Sequence, residues 1–250
     1  MTVLDHPTVS CPDAGSASVR GRRRVAADAA VVAGYGTELA AAVADGIGDS
    51  TAAADAARTA AATAVRTAPL LGTAGALSAA RDAVRAVPGS GDAVLVVAAG
   101  TPGGGWEVSW VGDARALLWD GHTLLSLTRD HTMAEELRAA GVDAGGAWEN
   151  VVTTTVATAD PATAGHVRGP AGAGTLVLLS DGVHRSLDAG AIAAELVVPR
   201  GSSATARALV EAALAAGTRD NATAAVVPLP REWTVDPGGA VTVRIPEQRA

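Results

Sequence analysis

The sequence predicts an α+β layered domain, on three observations. Short apolar runs separated by Gly-rich or Asp-Gly turns cluster between Ala93 and Thr128, as antiparallel strands do. Helix-forming segments are grouped rather than alternating evenly with strands, which a parallel βαβ fold would require. Neither a G-x-G-x-x-G turn nor a P-loop is present to support a doubly wound nucleotide fold. A chain of 250 residues fits one large domain or two small ones.

The elements follow in order. Residues 1–15, rich in Pro, Ser and Asp, read as a flexible leader. Ala27 to Gly36 is a first strand and its exit, and "ELAAAVADG" a second strand that ends on Asp45. Ser50 to Ala68 is an Ala-rich helix, with Asp55, Arg58 and Arg66 spaced along one face; a break over Pro69–Gly75 separates it from a second helix, Ser78 to Val87. "AVLVVAAG", "WEVSWVG", "ARALLWDG" and "TLLSLT" form an antiparallel meander. "TMAEELRAAG" is a short amphipathic helix with a Gly stop, "NVVTTTVAT" a further strand, and Ala159 to Gly174 a loop. The apolar run Leu176–Leu179 is a buried strand, followed by a helical patch over Ala189–Leu196, a helix over Ser203–Ala216 and a strand after Asp220. "WTVDPGGAVTVRIP" reads as a last hairpin in a 231–250 tail, and there is no internal repeat.

Composition narrows the function. A hydrophobic content of 48% is ample for a core. The net charge of −7 argues against nucleic-acid binding through a broad basic surface; Arg22-Arg23-Arg24 is the one locally basic cluster. All 19 basic residues are Arg and Phe is absent, a coding bias rather than a functional signal. Cys11 is the only cysteine, which rules out an intrachain disulfide and a thiolate zinc cluster. The start lacks the charged and apolar regions of a signal peptide, and apolar runs such as Ala93–Ala99 are too short for a bilayer. A soluble cytoplasmic protein, without membrane or nucleic-acid partners, is the expectation.

Three aspartates stand at strand ends. Asp45-Gly46 follows Val43-Ala44, Ser180-Asp181-Gly182 follows Leu176–Leu179, and Asp220 precedes the strand in "RDNATAAVV". Each is explained separately by an ordinary turn. If they converge, carboxylate oxygens without His or Cys partners suit Mg²⁺ or Mn²⁺. Two such ions about 3.5–4 Å apart can activate a water toward phosphorus.

Four stretches, in order, carry a resemblance. "VADG", "VSWVGDARALLWDGHTLLSLTRDHTMAEEL", "LVLLSDGV" and "GTRDNATAAVV" are similar to the blocks of the metal-dependent Ser/Thr protein phosphatases, the PPM or type 2C family, in its bacterial form. The match spans most of residues 16–228, so that 16–230 would be one phosphatase domain. The resemblance implies a four-layer αββα sandwich, two antiparallel sheets flanked by helices. It implies that Asp45 bridges two Mn²⁺ or Mg²⁺ ions with the Gly46 carbonyl on one, that Asp181 and Asp220 complete the pair, and that Asp113 helps hold a third ion, as in bacterial members. Arg23, the central candidate of its trio, would grip the substrate phosphate by bidentate bonding; an ordinary solvated patch is the alternative. The implied reaction is hydrolysis of phosphoserine or phosphothreonine on proteins phosphorylated by a bacterial Ser/Thr kinase.

The likeness frays in places. "RRVAADA" keeps Asp28 and Ala29 but has Ala26 and Ala27 where the family carries polar residues that orient neighbouring ligands, an effect of about 10–100-fold. After Asp45-Gly46 come Ile47, which cannot act as a general acid, then Asp49 and Ser50 in place of Gly and His. Asp49 is an extra carboxylate nearby, or simply the cap of the helix beginning near Ser50. Ala114 replaces the usual Ser. These departures keep open a degenerate member that binds a phosphoprotein or kinase with little turnover. The five histidines have no metal-ligand spacing and read as structural or solvated, with His131 supporting the corner between hairpin and helix.

Overall fold

A computed structural model describes residues 14–35, 38–172, 174–229 and 242–244. The elements in chain order are strands β1 (Gly15–Val19), β2 (Asp28–Tyr35) and β3 (Glu38–Gly46), helix α1 (Thr51–Arg85), strands β4 (Ala93–Gly100), β5 (Trp106–Val111), β6 (Arg115–Trp119) and β7 (Leu124–Ser126), helix α2 (Met133–Ala139) and a 3₁₀ turn (Gly146–Asn150). Strands β8 (Gly165–Gly169) and β9 (Gly174–Leu179), helices α3 (Asp181–His184), α4 (Ala189–Val197) and α5 (Ser202–Ala215), and strands β10 (Ala222–Leu229) and β11 (Thr242–Arg244) complete it. One sheet runs β1-β10-β9-β6-β7 and the other β11-β8-β5-β4-β3-β2, with every pairing antiparallel.

Side-chain alternation assembles the layers. On β3, Ala40, Ala42 and Ala44 pack on α1, whereas Leu39, Ala41 and Val43 face the other sheet. On β9, Leu176 and Leu178 join the layer between the sheets, while Val177 and Leu179 meet Leu209 and Val210 of α5. The strands read as continuous apolar runs because both faces are covered. The order is therefore α1, six-stranded sheet, five-stranded sheet, α3–α5: the expected αββα sandwich. Alanines along α1 (Ala53, Ala56, Ala57, Ala60, Ala61, Ala64), all fully buried, let that helix approach the sheet closely.

Several local expectations are corrected. The two predicted helices are one span kinked at Gly72, whose backbone (φ 69°, ψ 171°) leaves the helical region while Pro69 is accommodated within the span. The Thr73 amide at the kink finds a buried acceptor, Glu107 Oε1 at 2.6 Å, which lets the chain resume. The meander is split: β4–β5 belong to one sheet and β6–β7 to the other, and Gly112-Asp113-Ala114 is the crossing. "NVVTTTVAT" forms no strand beyond a single bridge, Val152 to Thr132; Thr155 Oγ1 bonds to Thr158 Oγ1 at 3.0 Å and to the remote Asp92 Oδ2 at 2.5 Å. The predicted loop 159–174 contains β8, held between β5 and β11. Strand β1 was not anticipated; it begins at Gly15, the last residue of the predicted leader. Of the expected last hairpin, Thr242–Arg244 pairs with β8, and 233–241 and 245–246 lie outside the described residues, as do 1–13 with Cys11.

Candidate active site

The strand ends that carry the aspartates meet at one edge of the sandwich. Strand register sets Asp28 of β2 directly opposite Asp45 of β3. Gly46 closes the strand: its amide donates to Ala27 O at 3.2 Å, and a Cβ there would stand 2.5 Å from Ala53 O. From the other sheet, Ser180 caps α3 and leaves Asp181 in the first turn, next to the start of β10. Gly182 is obligatory for this approach, since a Cβ would lie 1.9 Å from Asn221 O. Asp45, Asp113, Asp181 and Asp220 line one cleft of about 200 Å³ together with Arg23 and Arg185. Every residue that the sequence singled out for the site is thus on or beside this cleft.

Side chains outside the predicted ligand set hold the arrangement. Ser180 Oγ donates to Asp28 Oδ2 at 2.7 Å and accepts from Thr223 N at 3.0 Å, tying the two sheets together under the site. Asn221 accepts from Ala27 N at 2.6 Å and donates to Arg20 O at 2.6 Å and Val25 O at 3.1 Å, clasping the loop that presents Arg23. The adjacent Asp-Asn pair was the signal for it. Asp49 does not cap α1. Ser50 does, accepting from Ala53 N, while Asp49 accepts from Val25 N at 2.8 Å and Arg24 N at 3.2 Å and so braces the same loop. His131 stacks on Trp110 and accepts from Gly112 N at 3.3 Å, supporting the crossing beside Asp113. His184, buried, donates from Nε2 to Asp113 O at 2.9 Å, and burial pushes its pKa down to about 3.

Electrostatics give the cleft its character. Burial, then the charges of Asp28, Asp181, Asp113 and Asp220, push the Asp45 carboxyl well above the usual carboxylate range. Asp28 is the register partner of Asp45 across the two strands, and the charges of Asp28 and Asp181 both act on Asp45. Burial raises Asp28 and Asp113 to about 6 and raises Asp181 as well. Asp181 Oδ1 and Asp28 Oδ1 are buried without a hydrogen-bond partner. Two arginines answer part of this charge: Arg23 Nη2 lies 2.5 Å from Asp220 Oδ2, and Arg185 Nη2 lies 2.5 Å from Asp113 Oδ2. Among the described residues, no three acidic, His or Cys side chains close around one point as they stand. The donor set nevertheless fits hard divalent ions: clustered carboxylates in excess of their arginines, the buried and unpartnered Asp181 Oδ1 among the lining carboxylates, and the Gly46 backbone at the cleft wall. Ligation by all of them requires Asp220 and Asp113 to turn off their arginines.

The departures from the first block also find a place. Ala26 is exposed, and Ala27 packs against Ala53 and Ala54 of α1 rather than facing the acids.

No protein-family model matches the chain, and no curated protein matches it by sequence. Solved structures do. The PPM Ser-Thr phosphatase MsPP from Mycobacterium smegmatis, in complex with cacodylate, is 27% identical, with a TM-score of 0.72 over 87% of this chain and 98% of that one. A serine/threonine phosphatase of S. agalactiae is 20% identical, with a TM-score of 0.76 over 87% of this chain and 99% of that one. The catalytic domain of the phosphatase PstP, in complex with two manganese ions, is 22% identical, with a TM-score of 0.68 over 87% and 98%. The architecture is that of the bacterial PPM-type Ser/Thr phosphatases.

Proposed function

We propose that the protein is a metal-dependent phosphatase acting on phosphoserine and phosphothreonine in proteins, in the cytoplasm, opposite a bacterial Ser/Thr kinase. The observation that carries this reading is the convergence of Asp45, Asp181 and Asp220, distant in sequence, on one strongly anionic cleft. Asp45, Asp181, Asp220 and the Gly46 carbonyl would hold two Mn²⁺ or Mg²⁺ ions. Bound there, the ions supply an activated water and neutralise phosphate charge.

The chain's own residues prepare that chemistry. Asp45 is central: its carboxyl faces Asp28 and Asp181, and its raised pKa marks it as the acid most in need of a divalent partner. Arg23 stays charged, its pKa raised further by the hydrogen bond to Asp220. Its side chain is 42% exposed at the cleft mouth, where the planar fork suits a phosphate dianion. Asn221 and Asp49 fix the backbone on either side of it, so the guanidinium is delivered on a braced loop. The cleft is lined mostly by charged and polar residues, in keeping with a phosphorylated side chain as substrate.

The test is hydrolysis of an aryl phosphate and of a phosphothreonine peptide with Mn²⁺, against the same reactions in chelator. Mn²⁺-dependent release of phosphate from both is the expected result; a folded, Mn²⁺-loaded protein that hydrolyses neither would refute the reading. A second reading, a phosphoprotein-binding member with little turnover, is favoured by one observation: Ala27 packs on α1 and leaves no polar group to orient ligands there. It predicts phosphopeptide binding without release of phosphate.

A further inference from the structure

Arg185 has no part in the function derived so far, yet it lines the cleft and holds two of its carboxylates. It lies one helical turn beyond Asp181, at the end of α3. Its Nη2 contacts Asp113 Oδ2 at 2.5 Å and donates to Glu149 O at 2.7 Å, while its Nε lies 3.4 Å from Asp181 Oδ2. One guanidinium thus joins the crossing between the sheets, the 3₁₀ turn and the start of α3. Its carboxylate partners retain only 6% and 19% exposure.

A guanidinium differs from a bound ion in two respects: it carries a permanent single charge, and it is tethered, so it neither exchanges nor dissociates. A divalent ion placed between Asp113 and Asp181 would have to displace it or sit against a fixed like charge. Asp45 and Asp220 have no contact with Arg185; Asp220 pairs with Arg23, a more exposed residue on a separate loop. The cleft therefore has two electrostatic halves. At one, Asp113 and the Oδ2 side of Asp181 are already neutralised by a tethered guanidinium whose side chain is 28% exposed. At the other, Asp45 and the unpartnered Asp181 Oδ1 can take ions, and Asp220 can once Arg23 turns away.

We propose that Arg185 is a built-in cation that replaces an exchangeable ion between Asp113 and Asp181, so that the protein binds two divalent ions and Asp113 ligates neither. This rests on the reading of the cleft as a divalent-ion site. Arg185 is a positioning residue here: it sets the direction of Asp181 so that Oδ1 faces the remaining ions.

Manganese stoichiometry tests this without relying on activity. The probe is Mn²⁺ alone, titrated into the full chain with free ion counted by electron paramagnetic resonance and bound ion by native mass spectrometry. The wild type should take up two ions, and Asp113→Asn should leave that number unchanged. Arg185→Ala should take up one more, and adding Asp113→Asn to it should remove that ion again. Arg185→Lys, which keeps the charge, should stay at two and serves if the alanine variant does not fold. Three ions in the wild type with one lost in Asp113→Asn would overturn the proposal. So would a folded Arg185→Ala protein that still binds only two, with the divalent-ion reading left standing. A wild type that binds no Mn²⁺ would overturn both.

Discussion

Replacing Asp181 by Asn separates a ligand from a turn residue. Asn keeps the shape at the start of α3 and removes one charge. In the metal-free protein that charge is repelled by Asp220 and Asp28 and held by Arg185 at 3.4 Å, and burial raises its pKa. Losing it costs the fold about 1 kcal/mol at most, because the ion pair is partly exposed and the repulsion disappears with it. The effect on ion binding is larger. Outer groups that merely orient ligands matter about 10–100-fold, so a direct carboxylate should sit at about 100-fold or above. At a Mn²⁺ concentration ~100 times the wild-type Kd, binding stabilises the folded state by ~2.7 kcal/mol. For a chain of this size that is an increase in Tm of about 5–11 °C. The same Mn²⁺ concentration would stabilise the variant by only ~0.4 kcal/mol, or about 1–2 °C. Thermal melts of both proteins with Mn²⁺ and with chelator read these quantities directly. Equal Mn²⁺-induced shifts in the two proteins would refute the assignment of Asp181 as a ligand, and a near-normal hydrolysis rate would do so independently.

Other expectations follow from the same geometry. Arg23→Ala should lower kcat/KM for an aryl phosphate by roughly 10–100-fold, the worth of charge-assisted bonds to phosphate, while freeing Asp220; unchanged kcat/KM would remove Arg23 from the site. Gly182→Ala should cost about 1–3 kcal/mol or prevent folding, since its Cβ would collide with Asn221 O; a chemical denaturation curve matching wild type would contradict the packing. Asp28→Asn should stabilise the metal-free protein at pH 8 by about 1–3 kcal/mol and much less at pH 4: a carboxyl raised to about 6 contributes stability below its ordinary range that is lost as pH rises through 6, and urea melts in chelator at both pH values measure it. His184, with its pKa near 3, acts in the opposite sense: stability is full above about pH 6.5 and falls by about 1.4 kcal/mol per unit on acidification toward 3, a dependence that His184→Gln should flatten in the same melts.

Much of the fold was legible because its signals are local. Strands β2 to β5 and β9 announce themselves as apolar runs bounded by Gly and Asp, and α5 by its length and composition. What escaped depends on partners remote in sequence. The split of the meander is set by Gly112 to Ala114 crossing between layers, and nothing in the runs on either side distinguishes one sheet from the other. Strand β1 is a short run of small residues whose pairing with β10 joins opposite ends of the chain. The helix break was placed correctly near Pro69–Gly75, but Glu107, which satisfies the kink, lies on β5 and has no local signature. The false strand after Asn150 shows β-branched residues whose hydroxyls bond to Asp92 and to each other instead of leaving the backbone to a ladder.

The site divides the same way. Asp45, Asp181 and Asp220 were visible because each breaks an apolar strand at its end, and four motifs in order linked them. Arg185 was not, because a single arginine after a helical turn has no signature until Asp113 arrives from 72 residues away. The strands beneath the carboxylates are packed on both faces by buried layers, and Val43 and Leu179 lead to Asp45 and Asp181 from opposite sheets. Burial first, and mutual repulsion with it, raise the pKa values of Asp45 and Asp181. A cluster built this way has two means of neutralisation, arginines and divalent ions. Arg23, on a loop and 42% exposed, can release Asp220; Arg185, tied to three elements, stays. That asymmetry gives the cleft one half open to exchangeable ions and phosphate and another already neutralised by the chain itself.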